Sequence, residues 1–153
     1  MRIVAQKVHN ATLSVEEKEV SSIQQGLLIM VGVLREDTMD DVKYIAKKIA
    51  NMRMWKGDTD KLDYSLLDIQ GEVMVVSNFT LGAHIKSGTR PDFGYNADKE
   101  KADALYLALA KELELLGVKK LVTGKFAHNM HIDTTLDGPF TIVLDHGMTA
   151  PTK

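Results

Sequence analysis

The segment that most constrains the fold is the apolar run Leu27-Leu28-Ile29-Met30-Val31-Gly32-Val33, which follows Gly26. A strand with one face in water alternates apolar and polar side chains, whereas this run contains no polar side chain. The run therefore predicts a strand that is covered on both faces.

Other extended segments lie on either side of this run. Apolar and polar side chains alternate partly over residues 2–8 and regularly over residues 11–15. The charged residues 16–19 that follow predict a turn. A further strand that ends in a polar loop is predicted over residues 72–79. Others are predicted at residues 120–123, and at residues 132–145 as two extended segments broken at Asp137-Gly138-Pro139.

Two segments have helical periodicity. Residues 38–53 place apolar side chains at helical spacing, with Asp37 or Thr38 as the N-cap. Residues 98–116 carry a second apolar stripe at helical spacing, and Gly117 provides the C-terminal stop of this helix.

Because strands are grouped instead of alternating with helices, the order of the elements favours an α+β fold over a doubly wound sheet. A length of 153 residues fits a single domain, residues 1–153, with one core.

Composition excludes several classes of function. The chain has no cysteine, which rules out disulfides, thiolate catalysis and sulfur-ligated metal sites. Its formal net charge of -2 argues against tight, non-specific nucleic-acid binding. No apolar run approaches the roughly 20 residues that cross a bilayer, and the first residues are too polar for a signal peptide. The cytoplasm is therefore the predicted location.

The first candidate site is Ser77-Asn78-Phe79-Thr80, where an apolar strand ends. Backbone N–H groups that are freed at a strand end can stabilise the oxyanion of an acyl transfer. The Thr80 hydroxyl is a possible nucleophile, although no base lies near it in sequence. The alternative is a strand-end turn whose hydroxyls cap backbone groups.

The second candidate is Asp137-Gly138-Pro139-Phe140-Thr141. Proline inside an extended region marks an edge, a bulge or a turn. A cis Gly138-Pro139 bond would present the flanking carbonyls as rigid acceptors for a ligand's amino group. A plain hairpin turn is the alternative.

Two further segments carry chemistry-bearing side chains. Lys86 and Arg90 flank small residues in a loop that suits phosphate contact, or is simply solvated. His128 and His131 are three residues apart, but no nearby third ligand completes a metal set, so no metal is predicted.

Together these segments resemble the D-aminoacyl-tRNA (D-tyrosyl-tRNA) deacylase family over nearly the whole chain. The matching landmarks are residues 1–8, 26–33, 72–81, 86–93, 123–126, Met130 and 137–141. Residues 77–81 are similar to the family's Ser-Gln-Phe-Thr-Leu signature. The chain departs from the pattern at Lys7 (usually Arg), Asn78 (Gln), Gly82 (an aromatic residue) and Leu136 (Asn). These departures affect supporting contacts and substrate range more than the reaction.

The resemblance implies a β/β/α homodimer with a barrel-like, antiparallel-rich sheet core and two main helices. It also implies that Gly138-Pro139, with a cis bond, enters the partner's active site and excludes L-amino acids. The substrate would be the 3′ end of a tRNA carrying a D-amino acid, or glycine mischarged on tRNA-Ala. Ser77, Asn78, Phe79 and Thr80 would line the site of ester cleavage, and Met130 would contact the substrate. Lys7, Lys86 and Arg90 would support the turn or contact RNA.

The predicted reaction is hydrolysis of the aminoacyl ester, without cofactor or metal. The backbone N–H groups of Phe79 and Thr80 are the candidate oxyanion donors. The resemblance suggests that the neighbouring ribose hydroxyl assists, so that no side-chain base is essential. Two alternatives remain open. One is a non-catalytic nucleic-acid-binding module that uses Lys86, Arg90 and the helix face formed by Lys43, Lys47 and Lys48. The other is a small-molecule-binding or purely structural dimer.

Overall fold

The computed structural model describes residues 1–85 and 88–146. Its elements, in chain order, are β1 (Arg2–Val15), β2 (Lys18–Ile23), β3 (Gly26–Gly32), α1 (Met39–Asn51), β4 (Arg53–Lys56), β5 (Leu62–Ser65), β6 (Glu72–Ser77), a 3-10 turn (Phe79–Gly82), α2 (Lys99–Leu115), β7 (Leu121–Thr123) and β8 (His131–Asp145). None of the helices in these ranges is long and apolar enough to cross a bilayer.

Strand β1 is the centre of a six-stranded mixed sheet. One edge of β1 pairs antiparallel with β8, and its other edge pairs antiparallel with β3 and then with β2. The sheet continues through parallel pairs from β3 to β6 and from β6 to β7. It curls back on itself, since the Ser21 hydroxyl of β2 donates to the Thr123 carbonyl of β7 at 3.3 Å. The predicted α+β class, with a barrel-like and antiparallel-rich sheet, is confirmed.

Two apolar cores lie in this fold. The larger packs α1, α2 and Trp55 against the sheet, and includes Ile29, Val75 and Tyr106. The smaller is built from alternate residues of the strands, among them Leu28 and Met74. Because neighbours along β3 and β6 contribute to different cores, both strands are covered on both faces, as the run at residues 27–33 predicts.

The helices begin as the sequence predicts. Thr38 caps α1 in a reciprocal capping box, in which its backbone N–H donates to the Asp41 carboxylate at 2.7 Å. Burial raises the pKa of Asp41, but the hydrogen bonds from Thr38 outweigh it, so the net pKa is lowered. Asp98 caps α2 by accepting from the Lys101 N–H at 2.8 Å. Helix α1 ends earlier than predicted because Met52 turns into the extended conformation that leads to β4.

Three strand predictions differ from the structure. Residues 2–8 and 11–15 form one strand, β1, whose register shift between Val8 and Asn10 explains the lost alternation. Residues 131–145 likewise form one strand, and the predicted break is a bulge within it. The short hairpin of β4 and β5 is absent from the prediction, because four-residue strands carry little periodicity.

Gly26 provides the first prediction. It pairs with Glu72 at the start of the parallel β3–β6 ladder, and a Cβ at residue 26 would lie 1.8 Å from the Glu72 carbonyl oxygen. Since backbone atoms cannot give way as a side chain can, Gly26→Ala is expected to lower the free energy of unfolding by about 3 kcal/mol. Denaturant unfolding measures this change. The exposed neighbour Gln25→Ala is the control, and equal midpoints for the two variants would contradict the close-approach argument.

Candidate functional site

The parallel pairing of β3 and β6 places the first candidate segment. Val31 of β3 lies opposite Ser77 of β6, and the Asn78 N–H donates to the Val31 carbonyl at 2.8 Å. The chain then leaves the sheet and enters the 3-10 turn. Polar residues therefore follow the carboxyl end of a buried strand, where a rigid sheet supports the loop.

A cleft of about 640 Å³ opens at this end of the sheet. Its walls come from the ends of β3 and β6, the start of α2 and the loops on either side. The lining residues are Val31, Val33, Ser77, Phe79, Phe93, Asn96, Ala97, Lys99, Ala102, Phe126, Ala127, His128, Asn129 and Met130. Three residues predicted from sequence, Ser77, Phe79 and Met130, are thus brought together in one cleft.

The 3-10 turn leaves two backbone donors unused by its own hydrogen bonds. The first bond of the turn is donated by the Leu81 N–H to the Asn78 carbonyl at 3.2 Å. The N–H groups of Phe79 and Thr80 precede that bond, as the first donors of any helical turn do. Phe79 lines the cleft, and two adjacent backbone N–H groups are the kind of donors that stabilise an oxyanion.

The side chains of Asn78 and Thr80 bond to each other instead of lining the cleft. The Thr80 hydroxyl donates to Asn78 Oδ1, and Asn78 Nδ2 lies 3.8 Å from the sulfur of Met30. The proton of the Thr80 hydroxyl is therefore committed to a neighbouring amide. This arrangement favours a backbone role for Thr80 over a nucleophilic one.

Aromatic and small residues shape the apolar part of the cleft. The rings of Phe79 and Phe93 lie 5.0 Å apart, and 61% of Phe79 is exposed. Gly124 leaves room for Met130, since a Cβ at residue 124 would lie 2.6 Å from the Met130 sulfur. The close approach of Gly124 thus supports the position of Met130 in the cleft.

The ionisable lining residues are Lys99 and His128, and none of the described lining residues has a carboxylate. His128 Nδ1 lies 2.9 Å from the Phe126 carbonyl. Sequence reasoning missed Lys99 and Asn96 because neither belongs to a motif; the start of a helix near a loop is their only signal. No group of three or more possible metal ligands occurs within residues 1–85 and 88–146.

The second candidate segment lies on the other edge of β1. The Gly138-Pro139 bond is cis, and both residues are exposed. The segment is a bulge in β8, where residues 137–140 lie opposite Lys7 alone. Neither Gly138 nor Pro139 lines the cleft of its own chain.

Lys7 supports this bulge through an ion pair. Its Nζ lies 3.1 Å from Asp137 Oδ2 and 5.6 Å from the centre of the Trp55 ring. His9 Nε2 lies 3.7 Å from the other oxygen of Asp137. Arg90 is exposed and does not line the cleft, and Lys86 lies outside the described residues.

Comparisons with known proteins identify the family of the chain. The family model described as D-Tyr-tRNA(Tyr) deacylase matches residues 4–145. A D-aminoacyl-tRNA deacylase of Caldicellulosiruptor bescii is 42% identical over 145 residues, which cover 95% of this chain and 97% of the relative. One from Thermotoga petrophila is 43% identical, with the same coverage.

Solved structures share the fold. A structure titled c-Myc DNA Unwinding Element Binding Protein matches with a TM-score of 0.90 at 30% identity, over 97% of this chain and 100% of the other. A probable eukaryotic D-amino acid tRNA deacylase matches with a TM-score of 0.84 over 95% of this chain and 98% of the other. Its identity of 16% supports the fold alone.

The Lys7–Asp137 pair provides the second prediction. The pair is partly exposed, so Lys7→Met is expected to lower the free energy of unfolding by about 0.5–1 kcal/mol. Lys7→Arg retains the charge and adds a planar fork, and should at least match the original stability. A double-mutant cycle of Lys7→Met with Asp137→Asn in denaturant isolates the interaction. Strict additivity of the two changes would show that the pair contributes nothing to the bulge.

Proposed function

Because the chain belongs to the D-Tyr-tRNA(Tyr) deacylase family and is a D-aminoacyl-tRNA deacylase, we propose that the cleft at Ser77–Thr80 holds the ester during hydrolysis. The observation that carries the proposal is that Phe79 lines the cleft and that no described residue accepts a hydrogen bond from the backbone N–H of Phe79 or Thr80. Ester hydrolysis passes through a tetrahedral intermediate whose oxygen carries the negative charge, and two fixed N–H donors match that need.

The hydrolysis needs little from the side chains. Water attacks the carbonyl carbon, the bond from that carbon to the ribose oxygen breaks, and the ribose oxygen takes up a proton. The described part of the chain contributes no carboxylate to the cleft lining, and the Thr80 hydroxyl already donates to Asn78. We therefore assign activation of the water to the neighbouring ribose hydroxyl of the substrate, with orientation by the cleft.

Chirality would be controlled by Gly138 and Pro139 of a partner subunit. This turn is exposed and lies away from the cleft of its own chain, so contact with substrate requires a second copy. Strand β8 also exposes Leu136 (42%) and Val143 (58%), as expected of a surface that is covered in a homodimer. The carbonyls of the turn would accept from the substrate's α-amino group, leaving no space for an L side chain.

The same geometry sets the range of substrates. Glycine has no side chain to exclude, so glycyl-tRNA, including glycine mischarged on tRNA-Ala, would enter this site as D-aminoacyl-tRNA does. Lys99 supplies a positive charge at the cleft for the RNA end, and Arg90 is exposed for phosphate contact. The enzyme would act in the cytoplasm on charged tRNA, without cofactor, membrane or DNA.

A second candidate, a nucleic-acid-binding module, has two supporting observations. Lys43, Lys47 and Lys48 are exposed on α1, and a protein of 30% identity is titled a DNA unwinding element binding protein. The net charge of -2 weighs against strong binding of this kind. Binding of tRNA without any deacylation would favour this candidate.

The third prediction tests whether the hydroxyl of Thr80 or its backbone N–H acts in the hydrolysis. Thr80→Ala removes the hydroxyl but keeps the N–H, so D-tyrosyl-tRNA hydrolysis should fall by less than about tenfold. A near-total loss would instead identify the hydroxyl as an essential group. Single-turnover rates measure the chemical step.

Phe79 allows a matched test of a backbone donor. Phe79→Pro removes both the ring and the N–H at the first position of the turn, where proline is tolerated, whereas Phe79→Ala removes only the ring. The proline variant should be slower than the alanine variant by about 100-fold. Equal rates in the two folded variants would exclude the Phe79 N–H from the reaction.

The fourth prediction tests chirality. Purified protein should hydrolyse D-tyrosyl-tRNA at least about 100-fold faster than L-tyrosyl-tRNA, because exclusion removes the L substrate almost completely. Glycyl-tRNA should react at a rate closer to that of the D substrate. Comparable D and L rates would refute the gate while leaving the deacylase activity intact.

A further inference from the structure

Asn96 connects the 3-10 turn to the loop on the far side of the cleft. Its Nδ2 donates to the Phe79 carbonyl at 2.8 Å. The acceptor is a carbonyl, so the bond also fixes which end of the amide carries the nitrogen. Asn96 itself lines the cleft.

The backbone on both sides of Asn96 is held in place. The Arg35 N–H donates to the Tyr95 carbonyl at 2.9 Å, and the Ala97 N–H donates to the Val33 carbonyl at 3.1 Å. The Asn96 N–H donates to the Phe93 carbonyl at 3.0 Å. These bonds tie the loop to the end of β3, so the Asn96 amide projects from a fixed base.

Gly82 provides the space that this amide occupies. A Cβ at Gly82 would lie 1.8 Å from Asn96 Oδ1 and 2.9 Å from its Cγ. Asn96 Oδ1 is buried and has no hydrogen-bond partner among the described residues. A Cβ at residue 82 would therefore displace the Asn96 amide.

The carbonyl that accepts from Asn96 belongs to the same peptide group as the Thr80 N–H. A trans peptide is planar, with its N–H directed opposite to its carbonyl. Fixing the Phe79 carbonyl therefore fixes the direction of the Thr80 N–H, and the added hydrogen bond polarises that donor. An oxyanion donor gains most from being set in place before the reaction.

We propose that Asn96 is a positioning residue for ester hydrolysis, which orients the Phe79–Thr80 peptide toward the developing oxyanion. Gly82 leaves the space that the Asn96 amide needs. The inference rests on the proposed role of that peptide in the cleft. It predicts an effect on the chemical step, because the contact acts on a donor that is used in the transition state.

Two variants of Asn96 test the inference. Asn96→Asp keeps the shape but replaces the donor with an acceptor, and Asn96→Ala removes the contact. Both are expected to lower kcat for D-tyrosyl-tRNA by about tenfold or more, with KM within about twofold of the original value. The matched control is Asn51→Ala, since Asn51 Nδ2 also donates to a backbone carbonyl, that of Lys47 at 2.9 Å, away from the cleft. Its kcat should be unchanged.

Gly82 provides an independent test of the inference. Gly82→Ala should displace the Asn96 amide and lower kcat to a similar extent. The double variant Gly82→Ala with Asn96→Ala should then be no slower than Asn96→Ala alone, because the displaced group is already absent. Additive losses in this cycle would overturn the coupling between the two residues.

Thermal unfolding and circular dichroism establish that each variant is folded. Folded Asn96 variants with the original kcat, or with a raised KM and unchanged kcat, would overturn the inference and leave the proposed function standing. If the original protein fails to hydrolyse D-tyrosyl-tRNA, both the proposed function and this inference are overturned.

Discussion

The parallel pairing of β3 with β6 determines where every other part of the site lies. Gly26 allows the two backbones to approach at the start of the ladder, and the register then runs without a shift to Val31 and Ser77. The last contact, from the Asn78 N–H to the Val31 carbonyl, fixes the point at which the chain leaves the sheet. The turn, the N–H groups that precede its first hydrogen bond and one wall of the cleft all follow from that point.

The features that follow from local chemistry could be predicted from sequence. The apolar run at Leu27–Val33 predicts a doubly covered strand, and Thr38 and Asp98 mark the helix starts, because burial and capping depend on nearby residues. The interruptions in β1 and β8 were predicted as breaks between strands but are bulges within single strands, since a bulge disturbs periodicity as a chain break does. The short β4–β5 hairpin carries too little pattern to be detected.

The residues of the candidate site also divide into those that could be predicted from sequence and those that could not. Ser77, Phe79 and Met130 could be placed through family resemblance, and the structure brings them to one cleft. Asn96 and Lys99 could not be placed from sequence, because their approach to the cleft depends on how the loop before α2 folds over the end of β3. The role expected of the Asn78 and Thr80 side chains also shifted, since their mutual hydrogen bond is a contact that no spacing rule reveals.

The proposed use of backbone donors has an evolutionary consequence. A group that belongs to the main chain is present whichever amino acid occupies the position, so most single-codon changes at residues 79 and 80 leave the N–H in place. Such a site tolerates sequence drift that would inactivate a site built from a reactive side chain. Selection would then act mainly on the residues that hold the backbone in its path, of which Gly26 is an example in this chain.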